Sequence, residues 1–256
     1  MPYLAAHTIP MLRTLCFFLL ATVAVRAGEL RVLSWNLHHG VGEDDKLDLA
    51  RIAKVISEQK PDLVALQEID RKCTRTKGVD QAAELARLTG LQMSFGKAMD
   101  FGGGEYGQVV LSRFPIASTQ VHQLPGDGEP RIAVEVEVKM DDKPLRMISV
   151  HLDHQQDSRR LKQAEALAKA VENRHEPMVL AGDFNDGPDS ATLKAFAQQW
   201  HAAPKKEPKL TCPAAKPDSE IDHILLRGLE AKETATVLPE SVASDHRPVV
   251  VVVKVP

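Results

Sequence analysis

Short, mostly apolar runs that each end on one polar or ionisable side chain recur along this chain. Residues 30–35 run into Asn36, 62–67 into Glu68, 145–150 into His151, and 177–181 through Gly182 into Asp183 and Asn185. Runs of this length, bounded by Pro, Gly or polar residues, read as buried strands. Alternate strand residues share a face, so Asp183 and Asn185 project together from one strand tip. Four strands that deliver an acid, amide or imidazole at the same end predict one site there, because open α/β sheets bind ligands beyond their carboxyl edges.

Helical spacing appears between these runs. Leu49, Ile52, Ala53 and Ile56 predict a helix that stops before Pro61. Asp80 is placed to cap a helix over 81–89, which Gly90 ends. A helix over 157–173 is expected to turn Leu161, Ala164, Ala168 and Val171 inward, and 190–200 reads as another. Residues 109–112, 132–138, 221–226 and 249–253 read as further strands, the second alternating like a half-exposed antiparallel strand. The glycines at 102–104 suggest a flexible crossing, and 204–217, rich in Pro and Lys, a surface loop. Strands and helices in this mixed order predict an α/β (α+β) fold of two packed sheets covered by helices.

Composition changes this picture at the amino end. Arg13, the apolar stretch 14–25 and the small-x-small sequence Val25-Arg26-Ala27 make 1–27 a secretory signal peptide, leaving 28–256 as one domain. The stretch is shorter than the ~20 residues of a membrane span, so no stable membrane anchor is expected after cleavage. The mature protein is expected in the periplasm or outside the cell, as a monomer. Cleavage removes Arg13 and Arg26 and no acid, taking the net charge from −3 to −5. That balance argues against a dedicated duplex-DNA binder, which normally carries a basic surplus. Two cysteines remain, Cys73 and Cys212; a bridge between their loops and two free thiols are both compatible with the sequence.

The polar residues at the strand ends fall into six short motifs: Ser34-Trp35-Asn36, Gln67-Glu68, Ser149-Val150-His151-Leu152-Asp153, Gly182-Asp183-Phe184-Asn185, Ile221-Asp222-His223 and Ser244-Asp245-His246. In order and spacing they resemble the endonuclease/exonuclease/phosphatase superfamily, which includes deoxyribonucleases, apurinic-site endonucleases, inositol-phosphate phosphatases and bacterial sphingomyelinases. The resemblance spans 30–253. It implies a four-layer αββα sandwich with two mixed β-sheets packed face to face, and one Mg²⁺- or Mn²⁺-dependent phosphoesterase site. It also implies roles. Glu68 would be the metal ligand, with Asn36 beside it and Asp245 as a further contact. Asp183 would orient or deprotonate the attacking water, and Asn185 would steady the phosphoryl oxygens. His246 would face the scissile phosphate with Asp222 fixing its tautomer, and His151 would act on the leaving group. Arg131 sits where some members bind phosphate. Arg75, in the basic loop with Arg71, Lys72 and Lys77, and Tyr106 are further candidates for substrate contact.

These roles suit the chemistry. Hydrolysis of an anionic phosphoester needs positive charge near the phosphoryl oxygens and a positioned water. A lone carboxylate at a strand tip suits a hard cation that keeps several waters. His151-x-Asp153-His154 also looks like half of a zinc-hydrolase signature, but it lacks the preceding His-x-His. Three functional readings follow. The first is a phosphodiesterase acting on a small or exposed phosphodiester, such as a lipid headgroup. The second is a secreted endonuclease cutting nucleic acid. The third is a non-catalytic phosphate-binding module on the same fold.

Overall fold

The apolar runs pair into two mixed sheets in a computed structural model that describes residues 28–255; the expected signal peptide lies outside the described residues. The strands are β1 (Glu29–Asn36), β2 (Leu63–Arg71), β3 (Gln92–Phe101), β4 (Gly104–Ser112), β5 (Ile116–Leu124), β6 (Arg131–Met140), β7 (Lys143–His151), β8 (Met178–Asp183), β9 (His201–Ala202), β10 (Asp222–Arg227), β11 (Glu230–Ala231), β12 (Thr236–Val237) and β13 (Val249–Lys254). The helices are α1 (Leu49–Glu58), α2 (Gln81–Thr89), α3 (Asp157–Ala170) and α4 (Ala191–Lys194). One sheet runs β11-β13-β1-β2-β4-β3, with β12 also on β13, and the other runs β5-β6-β7-β8-β10-β9. Leu30, Val32, Val110, Val134, Met147, Val179 and Val251 fill the space between the sheets. Ile52, Ile56 and Leu85 pack α1 and α2 on the outside of the first, and Ala164, Leu167 and Leu193 pack α3 and α4 on the second. The four layers are helix, sheet, sheet, helix.

Each sheet contains one parallel pair, β1 with β2 and β7 with β8. A parallel pair needs a crossover, and α1 and α3 supply the two. The register brings Asn36 opposite Gln67, His151 opposite Asp183, and Asp222, at the start of antiparallel β10, opposite the same Asp183. All five residues therefore lie on one edge. Beneath them a polar link joins the sheets: Gln67 Nε2 donates to Ser149 Oγ (3.0 Å), and Ser149 Oγ to Gln108 Oε1 (3.3 Å). Gln67 and Ser149 are fully buried, and their hydrogen bond ties the two sheets together across the site edge.

Several elements differ from expectation. The glycines at 102–104 close a hairpin between β3 and β4, and Gly102 and Gly103 take positive φ (51° and 77°). Helix α4 covers Ala191–Lys194 only, because the residues to Trp200 continue as turns. Helix α3 buries Ala164 and Leu167 but leaves Leu161 half-buried. Arg159 and Arg160 occupy the inward places, paired with Asp153 and Asp157. Both cysteines are free. Cys73 Sγ donates to Phe101 O (3.1 Å), which leaves no bridge to Cys212. Among the described residues no helix is long and apolar enough to cross a membrane.

Candidate active site

Glu68 owes its position to an irregularity in β2. The register against β4 slips between Leu66 and Ile69, and Glu68 adopts φ of 58°. A bulge of this kind re-aims a side chain at a strand end, and left-handed non-glycine residues concentrate at functional sites. Asn185, just past β8, is likewise left-handed at 53°. Its backbone N–H donates to Asp183 Oδ1 (2.8 Å) and its side chain to Leu152 O (3.0 Å).

The other oxygen of Asp183 is the focus of the site. Asn36 Nδ2 donates to Asp183 Oδ2 at 3.1 Å, and the Nε2 atoms of His151 and His246 lie 3.5 and 3.8 Å from the same oxygen. On its far side His246 pairs through Nδ1 with Asp222 Oδ2 at 2.9 Å. Strand β1 is stitched to this segment: Trp35 Nε1 donates to His246 O (2.8 Å) and Ser244 Oγ to Asn36 O (2.7 Å). These contacts explain why the two motifs, 211 residues apart in sequence, meet.

Burial and charge push the three titratable groups apart. Burial raises the Asp183 carboxyl from 3.8 to about 7, against the attraction of His246. Burial also opposes charge on His246, but the carboxylates of Asp222 and Asp183 outweigh it and hold the imidazolium well above its usual range. Asp222 is lowered, since His246 overcomes its burial. The site therefore combines an ionised Asp222, a charged His246 and an Asp183 that titrates near neutrality, the divergence expected of an acid–base constellation. Burial, followed by the Arg131 charge, drives His151 well below its usual value.

A pocket of about 410 Å³ opens over this edge, lined by Glu68, Asp183, Asn185, His151 and His246 on its floor. Arg75, Met99, Phe101 and Tyr106 form one wall, and Glu129, Arg131 and His154 another. The Tyr106 hydroxyl is held in its protonated form by burial, then by the charges of Glu68 and Glu129.

Three expected roles look different in this geometry. Asn36 turns its amide N–H₂ to Glu68 Oε1 (3.0 Å) and Asp183, while its oxygen accepts from His38 N (3.1 Å). It orients the two carboxylates as a donor, so it is not placed as an oxygen ligand. Arg131 directs both terminal nitrogens to imidazole rings, so its guanidinium is anchored on His151 and His154. Asp245 is half-buried, takes a 3.3 Å contact from Ser244 Oγ and stands off the pocket lining. The basic loop is also less available than its composition suggests. Arg71 is paired with Asp80 and Glu105. Arg75 holds Asp70 with two bonds of 2.8 Å and stacks 4.4 Å over Phe101.

The donor set fits a hard divalent cation at Glu68. Its Oε1 is taken by Asn36, while its Oε2 has no hydrogen-bond partner among the described residues. An oxygen-only opening of this kind suits a cation that retains its waters. Ligand atoms of Asp183, Asp222 and His246 also lie within 4.8 Å of one another. The His246–Asp222 hydrogen bond accounts for the closest part of that group as a proton network. Lining residues not singled out in the sequence are Glu129, Met99 and Phe101. The last two lie on a strand whose pattern is not apolar enough to be recognised, while His154 was noted only as part of a zinc-hydrolase signature.

Comparison with known proteins agrees with this architecture. The model for the endonuclease/exonuclease/phosphatase family matches residues 33–246. The chain is 25% identical to the uncharacterized protein YbhP of Escherichia coli (strain K12) over 238 residues, a match that takes in 85% of this chain and 93% of that one. Among solved structures it is similar to an endonuclease/exonuclease/phosphatase from Beutenbergia cavernae, at 24% identity and a TM-score of 0.73, covering 89% of this chain and 72% of that chain. It is also similar to a mannosyl-6-phosphatase from Bacteroides thetaiotaomicron, at 20% identity and a TM-score of 0.72, covering 88% and 99% respectively. These structural likenesses are likenesses of fold.

Proposed function

The chain belongs to the endonuclease/exonuclease/phosphatase family, and on that premise we propose that it is an exported, monomeric, divalent-metal-dependent phosphoester hydrolase that cuts a small or exposed phosphodiester. The observation that carries this reading is the ring of N–H groups from Asn36, His151 and His246 around Asp183 Oδ2, with Asp222 behind His246. Asp183, poised near neutrality, accepts a proton from the attacking water. The charged His246 stabilises the negative charge that grows on the phosphoryl oxygens, and Asp222 keeps it charged and oriented. Asn185, tied to Leu152 O, fixes the rim against which the phosphoryl group sits. Mg²⁺ or Mn²⁺ held by Glu68 would supply neutralising charge beside these groups.

The substrate reading rests on size and charge. A pocket of 410 Å³ is of small-molecule dimensions. Arg71 and Arg75 are already paired to carboxylates, so the rim offers little net attraction to a long polyanion. A structural relative named as a mannosyl-6-phosphatase supports a compact phosphoester in a pocket on this fold. Export is supported by the signal-peptide sequence at 1–27.

The test is turnover by the mature protein with Mn²⁺ of bis-p-nitrophenyl phosphate, p-nitrophenyl phosphate, phosphoinositides and supercoiled plasmid. The proposal expects hydrolysis of the small diester, loss with chelator, recovery with Mg²⁺ or Mn²⁺, and only modest inhibition by salt. Efficient plasmid nicking with steep salt inhibition would replace it with the endonuclease reading. Turnover of no phosphoester at saturating metal would leave the binding-module reading.

A further inference from the structure

Arg131 is buried at 4% exposure, yet its guanidinium is bonded mainly to two imidazoles. Nη1 donates to His151 Nδ1 and Nη2 to His154 Nδ1, both at 2.9 Å. Glu129 lies 3.3 Å from Nη1, and Nε has no partner among the described residues. A guanidinium has donors only and keeps its charge, so each Nδ1 that it meets must be an acceptor. A neutral imidazole with an accepting Nδ1 carries its hydrogen on Nε2. A protonated imidazole would set N–H against N–H. We propose that Arg131 is a positioning residue that, with its other terminal nitrogen anchored on His154, holds His151 as a neutral Nε2–H donor, so that His151 offers a hydrogen bond over the pocket floor and does not act as a general acid.

The geometry gives this donor a direction. His151 Nε2 points at Asp183 Oδ2, 3.5 Å away on the pocket floor, and His154 lines the adjoining wall. For His151, burial and the neighbouring Arg131 charge favour the same neutral form. The contrast with His246 is direct, since there a carboxylate meets Nδ1 and supports the imidazolium. One imidazole over the floor is thus backed by an anion and the other by a cation, which divides charge stabilisation from hydrogen-bond donation. In the hydrolysis the water oxygen bonds to phosphorus and its proton passes to Asp183. The leaving oxygen departs with the bonding electron pair and takes its proton from solvent, because the neutral Nε2–H of His151 is too weak an acid to supply it.

This inference rests on the phosphoester reading for its ligand, but its first test needs no activity. In ¹⁵N-labelled protein, with His151 assigned through its glutamine variant, the His151 ring should show an unprotonated Nδ1 and a protonated Nε2 from pH 6 to 8. In Arg131→Ala, or in Arg131→Lys if the alanine variant fails to fold, the His151 ring should become a tautomer mixture. An imidazolium at His151 in the wild-type protein in that range would overturn the proposal. The second test is kinetic. Glutamine keeps an N–H donor near the Nε2 position, so His151→Gln should retain kcat within about tenfold on a diester with an alkyl leaving group, while His151→Ala loses about 10²-fold. Equal losses in the two variants would show that His151 gives up a proton. A wild-type protein inactive on every phosphoester but with the expected tautomer would remove the phosphoester reading and support the arginine's role.

Discussion

Asp183 keeps its two oxygens in different company, and this sets the expected pH behaviour. Oδ1 is bonded by the Asn185 backbone, whereas Oδ2 faces Asn36, His151 and His246. Burial raises its pKa from 3.8 to about 7, so below that pH it is protonated and cannot accept from water. Activity should therefore rise with pH along an acid limb at or below about 7, since a cation nearby favours the ionised form. His246 is raised well above 6.5, and losing its charge gives the alkaline limb. The two limbs belong to the coupled group rather than to single residues. Asp222 raises His246, so Asp222→Asn should shift the alkaline limb to lower pH and slow the reaction less than His246→Ala does. The alanine variant should cost at least the ~10²–10⁴-fold of one acid–base group. Rate–pH profiles of the three proteins check both points, and an unmoved alkaline limb in Asp222→Asn would break the pairing. At this scale much of the site was legible. Glu68, Asp183, Asn185, His151 and His246 meet in one pocket: the first four follow apolar runs whose strand register aligns the tips, and His246 precedes the last strand. The direction of an amide or guanidinium was not legible. Where Asn36 sends its N–H₂, and whether Arg131 meets phosphate or imidazole, depends on neighbours 20 or more residues away.

Elements β7 and β8 hold the site together through an unusually close approach at Gly182. A Cβ there would stand 1.9 Å from Val150 O in the neighbouring strand. Gly182→Ala must separate the parallel pair that aligns His151 with Asp183. It should cost roughly 3 kcal/mol or more and lower Tm by about 10 °C, with activity falling further than stability explains. Calorimetry alongside turnover measures this, and a wild-type Tm would contradict the packing described. The long apolar strands and the capped helix α2 were legible because pattern and end signals agree. Asp80 accepts from Ala83 N, and Gly90 closes the helix with φ of 72°. Strands β3 and β5 were not, since they carry exposed residues such as Met93, Phe101 and Val121 and take their stability from pairing with β4 and β6. The short α4 shows the same limit from the other side, because helical spacing continues to Trp200 while the chain turns.

Across the whole molecule two sheets, each with one parallel pair, converge on a single edge, and this convergence makes residues from both halves of the chain one site. The six motifs in order indicated that architecture, and the four layers follow from it. A net charge of −5 over residues 28–256, with paired rim arginines, predicts weak dependence of small-diester turnover on ionic strength. Rates measured between 50 and 200 mM salt should change by no more than about threefold, against the ~10³–10⁵-fold affinity loss of a protein gripping many phosphates. The central claim is that Glu68 holds a catalytic divalent cation. It is tested most directly by following bis-p-nitrophenyl phosphate hydrolysis against Mn²⁺ concentration in the wild-type protein and in Glu68→Gln. The wild-type rate should vanish in chelator and saturate with Mn²⁺, while Glu68→Gln keeps its Tm and loses at least about 10²-fold in rate at the same metal concentrations. A Glu68→Gln protein with the wild-type rate and the wild-type metal dependence would contradict the account.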